Sequence, residues 1–238
     1  MSQGSSAQSN IEATHLLKAK GYKRIPAKIV KKIRIQRSYH EGLIFHEGNI
    51  WVANGKNGKV WVLDPETGSI LKSIEPPGTF TEAIAWREGG VFFVTDWDER
   101  KIYKVRIEDD KMNLEAEYSF GDAHPTGVAW DGSSIFVITW TRGMGTKFHI
   151  IRMSDKFEVI ARLIIATIQE PDQLAWDGKN LWITSWHGRR VYKIDVASWK
   201  IIGSFKSPIR DTTGITWDGK YFWLTGTGED LYQMELGE

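Results

Sequence analysis

The hydrophobic pattern of this chain is one of short strands, repeated. Between Gln173 and Phe205 four apolar runs follow one another: QLAW, closed by Asp177-Gly178, then NLWITSW, RVYKID and WKIIGSF. Each is short and rich in aromatic and β-branched residues, which fit a pleated, half-buried surface. The Asp-Gly pair supplies the positive φ that a tight turn between antiparallel strands needs. The pattern predicts a four-stranded meander. One such sheet cannot bury both of its faces alone, so it needs neighbours stacked against it.

The neighbours are copies of itself. Phe45, Trp86, Trp130, Trp176 and Trp217 each close a first strand, at spacings of 41, 44, 46 and 41 residues. Three of them run directly into Asp-Gly, at Asp131-Gly132, Asp177-Gly178 and Asp218-Gly219. A second large aromatic follows in each copy, at Trp51, Phe93, Phe136, Trp182 and Trp223. Four strands per unit and this period predict an all-β fold, a single five-bladed β-propeller of four-stranded antiparallel blades. The repeated tryptophans, Trp86, Trp130, Trp176, Trp217, Trp182 and Trp223, are expected to be core, filling the wedges between blades.

The ends decide whether the ring closes. The last copy stops after its third strand, LYQMEL, while AKIVKKIRIQRSYHEGLIF precedes the first copy and aligns with the junction SWKIIGSFKSPIRDTTGITW. Lys28 to Ile35 is therefore expected to be the missing outer strand of the last blade, latching the two termini together and covering an exposed edge. The propeller then spans residues 27–238. Residues 1–26 are expected to be a flexible leader, with a short helix over Ile11 to Tyr22 that Gly21 ends.

Composition changes this picture little. There is no cysteine, which excludes disulfides and thiolate metal sites. No apolar run approaches the ~20 residues of a membrane span, and no signal peptide is visible, so the cytoplasm is the default if the chain is full length. Residues 1–40 carry nine Lys or Arg against Glu12 alone, +8, while the whole chain is +1 and the remainder therefore −7. A basic strand on an acidic body could grip a phosphate backbone. Charges that protect a sheet edge are the simpler account, because no aromatic residues interleave with them. Neither a nucleic-acid nor a membrane partner is expected, and the chain is expected to be monomeric.

Chemistry is expected where the copies differ. Four residues before the aligned aromatic stand Glu41, Glu82, Thr126, Asp172 and Thr213; ten after it stand Gly55, Trp140, Trp186 and Thr227, with Trp97 at the matching place in the second copy. In a propeller both positions point to one mouth of the central channel. That mouth collects three carboxylates and three tryptophans, flanked by Asp96, His124 and His187. Aromatic rings beside carboxylates suit a small cationic or amide-bearing ligand, or a peptide terminus. A plug of rings across the channel and a Ca²⁺ site on the carboxylates are alternatives. The histidines show no zinc spacing, and no metal or cofactor is called for.

These motifs resemble the plant and bacterial glutaminyl-peptide cyclotransferases, five-bladed propellers with motifs such as FTQGL, FGEG, LTW, NELE, NVW and TGK. Here YHEGLIF stands where FTQGL would, and PETGSILKSI matches the stretch that follows. FTEAIAW keeps the Phe and Glu of FGEG as Phe80 and Glu82, and VTDW ends at Trp97. PDQLAWDGK replaces NELEYIDGK, TSW places Trp186 on the Trp of NVW, and TGITWDGKYFWLTGT resembles the last-blade motif. The likeness covers about residues 27–238. The departures are Glu41 for Gln, Thr126 for a channel Trp, Pro171 for Asn and Thr227 for Lys, with Trp140 added.

The resemblance implies closure of an N-terminal glutamine to pyroglutamate with release of ammonia. Glu82, walled by Trp97 and Trp186, would be the acid and base, and the tryptophans would hold the substrate folded. Without the Lys and Asn, the hydroxyls of Thr213 and Thr227 or the indole N–H groups would have to stabilise the oxyanion. These losses favour a ligand-binding pocket formed by Glu41, Trp97, Trp140, Trp186, Asp172, Thr126, Thr213 and Thr227. A cyclotransferase acting through Glu82 is the alternative, and a protein-interaction scaffold a third.

Overall fold

The computed structural model describes residues 13–237. Five four-stranded antiparallel sheets stand around a central channel, one for each copy of the repeat. Blade 1 comprises His40–His46, Asn49–Asn54, Lys59–Leu63 and Ile70–Ile74; blade 2 comprises Thr81–Arg87, Val91–Asp96, Lys101–Glu108 and Lys111–Ser119. Blade 3 comprises Ala123–Trp130, Ile135–Thr141, Lys147–Met153 and Val159–Ile164; blade 4 comprises Pro171–Trp176, Leu181–Ser185, Arg190–Asp195 and Lys200–Lys206. In blade 5, Thr212–Trp217, Phe222–Gly226 and Asp230–Leu236 are completed by Ala27–Arg34 from the start of the chain. The latch strand is where the pattern puts it. The first strand of each blade lies innermost and packs against the first strand of the next, so the ring closes from blade 5 onto blade 1.

The repeated motif has a local cause. Gly132, Gly178 and Gly219 adopt φ of 96°, 90° and 99°, conformations that disfavour any side chain. The preceding aspartate ties the turn: Asp177 Oδ1 accepts from the backbone N–H groups of Lys179 (2.9 Å) and Asn180 (2.6 Å). Its other oxygen accepts the indole N–H of Trp182 at 2.7 Å, and Asp218 does the same for Trp223. One carboxylate thus sets both a turn and a core ring. In blade 1, His46 stands at the Asp position and the buried indole N–H of Trp51 has no partner.

Five apolar clusters fill the five wedges between blades, and each holds one of the second-position aromatics: Trp51, Phe93, Phe136, Trp182 and Trp223. Of the expected core tryptophans, Trp182 and Trp223 are buried. Trp86, Trp130, Trp176 and Trp217 are not. Trp86 is 36% exposed, and with Phe45 the four line a depression of about 280 Å³ at the mouth of the channel where the first strands end. Each ring keeps one side against a wedge or a neighbouring blade, as Trp130 does against Phe93 at 5.8 Å, and turns the other to the depression.

The expected helix is a second correction. Ile11 and the leader up to residue 12 lie outside the described residues, but from residue 13 onward the chain is extended. Ala13–Leu16 pairs in parallel with the outer strand of blade 3, and Lys23–Arg24 pairs with that of blade 4. Leu17 is fully buried between these blades, and Ile25 packs into the wedge between blades 4 and 5. Free sheet edges offer backbone hydrogen bonds along the whole segment, which a short isolated helix cannot match. The segment straps three blades together before becoming the latch.

Candidate active site

All five innermost strands carry the same irregularity. Pairing with the second strand slips between His40 and Leu43, Thr81 and Ala83, Pro125 and Val128, Pro171 and Leu174, and Thr212 and Gly214. A bulge of this kind re-aims a side chain. It falls on the variable position, so Glu41, Glu82, Asp172 and Thr213 line one cavity at the opposite mouth. Small residues let the strands converge: a Cβ on Gly42 would lie 2.7 Å from Ala83 Cα, and one on Gly214 2.5 Å from the carbonyl of Glu41.

The cavity measures about 350 Å³ and is walled by Trp97, Trp140 and Trp186 with Tyr39 and Phe80. Trp97 and Trp140 meet edge to face at 5.8 Å, and Trp140 and Trp186 lie 6.2 Å apart. Blade 1 has Gly55 at the aligned position, and the Phe80 ring takes the space a side chain there would fill. The rings are fixed from behind. Trp140 Nε1 donates to the carbonyl of Pro171 at 2.6 Å, while His124 stacks on Trp97 at 4.4 Å and His187 on Trp186 at 4.2 Å.

Glu41, Glu82 and Asp172 are each only 5% exposed, and no described residue donates a hydrogen bond to their carboxyl oxygens. Burial pushes all three well above the ordinary carboxylate range. Asp172, then Asp96 and Asp98, raise Glu82 further; Glu82 and Asp172 do so for Glu41; Glu170 does so for Asp172. Neighbouring buried carboxyls that no cation pairs with resist ionising together, so the cluster holds protons at pH values where a surface carboxyl has lost them. No group of three or more His, Asp or Glu among the described residues is arranged to hold a metal ion.

Three expected positions behave differently. Thr126 is buried behind the wall, where its hydroxyl donates to the carbonyl of Asp172 at 2.7 Å. Thr213 lines the cavity, but its hydroxyl donates to the carbonyl of His40 at 2.7 Å. Asp96 accepts from the backbone N–H groups of Thr79, Phe80 and Glu99, so it organises the loop carrying Trp97. Thr227 lines the cavity as expected.

Donors remain elsewhere. The indole N–H of Trp186 is enclosed without a partner. The Tyr39 hydroxyl is held protonated by partial burial and by Glu41, Glu82 and Asp172. Tyr39, Lys56, Phe80, Asp98 and Arg142 line the cavity although the repeat alignment does not single them out as site residues. Tyr39 and Phe80 stand next to repeat positions, where a switch from polar to aromatic was the available signal. Lys56, Asp98 and Arg142 sit on turns and carry none.

Residues 3–213 match the model of one family, described as glutamine cyclotransferase. The chain belongs to that family. Among solved structures it is similar to the glutaminyl cyclase of Myxococcus xanthus, at 16% identity with a TM-score of 0.74 over 91% of this chain and 98% of that one. It is also similar to the aldose sugar dehydrogenase of Streptomyces coelicolor (11%, TM-score 0.59, 90% and 99% covered) and to a streptogramin B lyase (15%, 0.53, 90% and 98%). Identities this low speak for the fold alone. A search of curated protein sequences returns no match. No helix among the described residues is long and apolar enough to cross a membrane.

Proposed function

We propose that this protein is a glutaminyl-peptide cyclotransferase, closing an N-terminal glutamine onto itself and releasing ammonia. The observation that carries the reading is Glu82: a buried carboxyl without a hydrogen-bond partner, held above its ordinary range and facing a cavity walled by tryptophans. Family membership puts the cyclotransferase ahead of the non-catalytic pocket that the residue substitutions alone favour.

The reaction needs one proton moved twice. The α-amine of the substrate attacks the side-chain amide carbon, and its proton passes to the Glu82 carboxylate. The C–N bond of the tetrahedral adduct then breaks as the same carboxyl returns a proton to the departing nitrogen, which leaves as ammonia. A carboxyl raised toward neutrality suits both transfers. Asp172 and Glu41 offer carboxyl oxygens to the substrate amine, and the tryptophan walls fold the side chain toward it. They also keep out water that would hydrolyse the amide.

The oxyanion takes its hydrogen bonds from Trp186 Nε1 and the Tyr39 hydroxyl, two donors of the cavity wall for which no described residue supplies an acceptor. This answers the substitution of Thr227 for Lys, and it removes Thr126 and Thr213 from the chemistry because their hydroxyls are committed. The test is ammonia release from a glutamine-initiated dipeptide by the purified protein. Release at a rate above the buffer blank supports the reading. A folded protein that releases none refutes it and returns the pocket to ligand binding alone.

A further inference from the structure

The cavity is acidic inside and carries two cations among its lining, Arg142 over the ring of Trp97 at 5.1 Å and Lys56 on the blade 1 side. On the blade 1 side its rim carries Lys56, whose ammonium lies over the ring of Tyr39 at 5.1 Å. Asn57 donates to the hydroxyl of Ser38 at 2.6 Å, which fastens the turn carrying Lys56 to the segment carrying Arg37. Just beyond lies a groove of about 630 Å³ lined by Lys32, Arg34, Arg37, Gly228, Glu229 and Asp230; Thr227 lines both it and the cavity. Lys32 is matched by Asp230 at 3.0 Å and Arg34 by Glu229. Arg37 and Lys56 have no carboxylate partner among the described residues. Gly228, on the lining of the groove, is exposed. A Cβ added to Gly228 would meet no atom within 4 Å, and its backbone is in a region open to any residue.

We infer that this groove is a second binding site, which takes an acidic segment of the peptide whose N-terminus occupies the cavity. The inference rests on the cavity taking a peptide N-terminus. A chain anchored there by its ammonium has to leave by the mouth, and an extended chain advances about 3.3–3.6 Å per residue. Thr227 borders both spaces, so a chain leaving on that side passes Lys56 and runs toward Arg37, and its third and fourth residues are the ones that would meet them. Two unpaired cations favour carboxylates at those positions and repel lysines. Protein surfaces use charge in this way to choose partners more than to gain affinity. The basic excess of the N-terminal forty residues then has a use beyond protecting an edge: Lys32 and Arg34 come from the latch and Arg37 from the segment just after it, so the strand that closes the ring also helps build the groove.

The experiment compares three glutamine-initiated tetrapeptide amides carrying Glu-Glu, Ala-Ala or Lys-Lys at positions three and four. Binding is read by intrinsic tryptophan fluorescence in the Glu82→Gln protein, where turnover does not intervene, and ammonia release is read in the parent. The acidic peptide should bind about tenfold more tightly than the basic one at low salt, as two exposed charge pairs allow, with the gap narrowing as salt rises. Arg37→Glu should abolish or invert that order. Gly228→Glu, which changes no existing contact, should do the same. Equal binding of the three peptides, an order that survives both substitutions, or binding of none of them overturns the groove. Ammonia release without a charge order leaves the cyclotransferase standing and removes the groove; a charge order without release does the reverse.

Discussion

The two mouths of the channel are made by the same five strands, yet they are built on opposite rules. At one mouth each copy contributes the same kind of residue, Phe45, Trp86, Trp130, Trp176 and Trp217, in a half-exposed ring. At the other the copies contribute Glu41, Glu82, Thr126, Asp172 and Thr213 on the bulged position, and Gly55, Trp97, Trp140, Trp186 and Thr227 one strand further on. Repetition marks what every blade needs, a closed turn and a ring against its neighbour. Divergence marks what the ring as a whole does once. Ionisable groups left buried without partners are costly, and Glu41, Glu82 and Asp172 stand together at the divergent mouth.

Substitutions at the two mouths sharpen this contrast. Glu82→Gln should lower kcat by at least about 10³-fold while the protein stays folded, since it removes a group that serves as both base and acid. Trp130→Leu, at the repeated mouth, should leave ammonia release within a factor of two. Trp186→Phe keeps a ring in the wall but removes the enclosed N–H; kcat should fall about 10²-fold, as for loss of one oxyanion donor. Stability should follow the reverse order. Trp223→Ala, in the wedge between blades 5 and 1, should cost about 3–5 kcal/mol in denaturant unfolding. Trp217→Ala, half-exposed at the repeated mouth, should cost only about 1–2 kcal/mol for the area it covers.

The smallest effect is one of pH, and its sign is opposite to the usual stabilising carboxylate. Glu82 has a folded-state pKa above its unfolded value, so between the two the folded chain binds more protons and stability falls as pH rises. Glu82→Gln removes this loss. Its melting temperature should exceed that of the parent by about 2–4 °C at pH 8, if the ionisation costs near 1 kcal/mol, and converge with it below the ordinary carboxyl value of 4.5. Equal melting temperatures at both pH values would mean that Glu82 is solvated and ordinary.

Much of this fold is legible in the sequence because the repeat states each blade five times. The Trp-Asp-Gly turn, the second aromatic and the missing last strand all carry local signals, and the latch at Ala27–Arg34 follows from counting strands. The strap does not. Ala13–Leu16, Lys18 and Lys23–Arg24 pair with the edges of blades 3 and 4, and nothing in IEATHLLKAKGY says that free edges await it; the periodicity of a short segment reads equally well as helix. The repeated tryptophans mislead for a related reason. Equivalence between copies shows that a position is structural, but its depth depends on where the strand meets the axis.

The site was half legible. Glu82, Glu41, Asp172 and the three tryptophans emerge from aligning the copies, because the bulge occurs in all five strands and projects the same position. Which hydroxyls are free does not emerge. Thr126 and Thr213 have the right chemistry, but each spends its proton on a carbonyl of an adjoining blade. Trp186 Nε1, among the donors that remain, is distinguished by what fails to approach it among the described residues.

The central claim is that one proton on Glu82 carries the cyclisation. The direct measurement is kcat/KM for ammonia release from a glutamine-initiated dipeptide across pH, with Glu82→Gln beside the parent. The account predicts that the rate falls on the acid side with a limb above the ordinary carboxyl value of 4.5, set by Glu82, and no turnover in the variant. A Glu82→Gln protein that keeps its rate within tenfold and the same acid limb would contradict it.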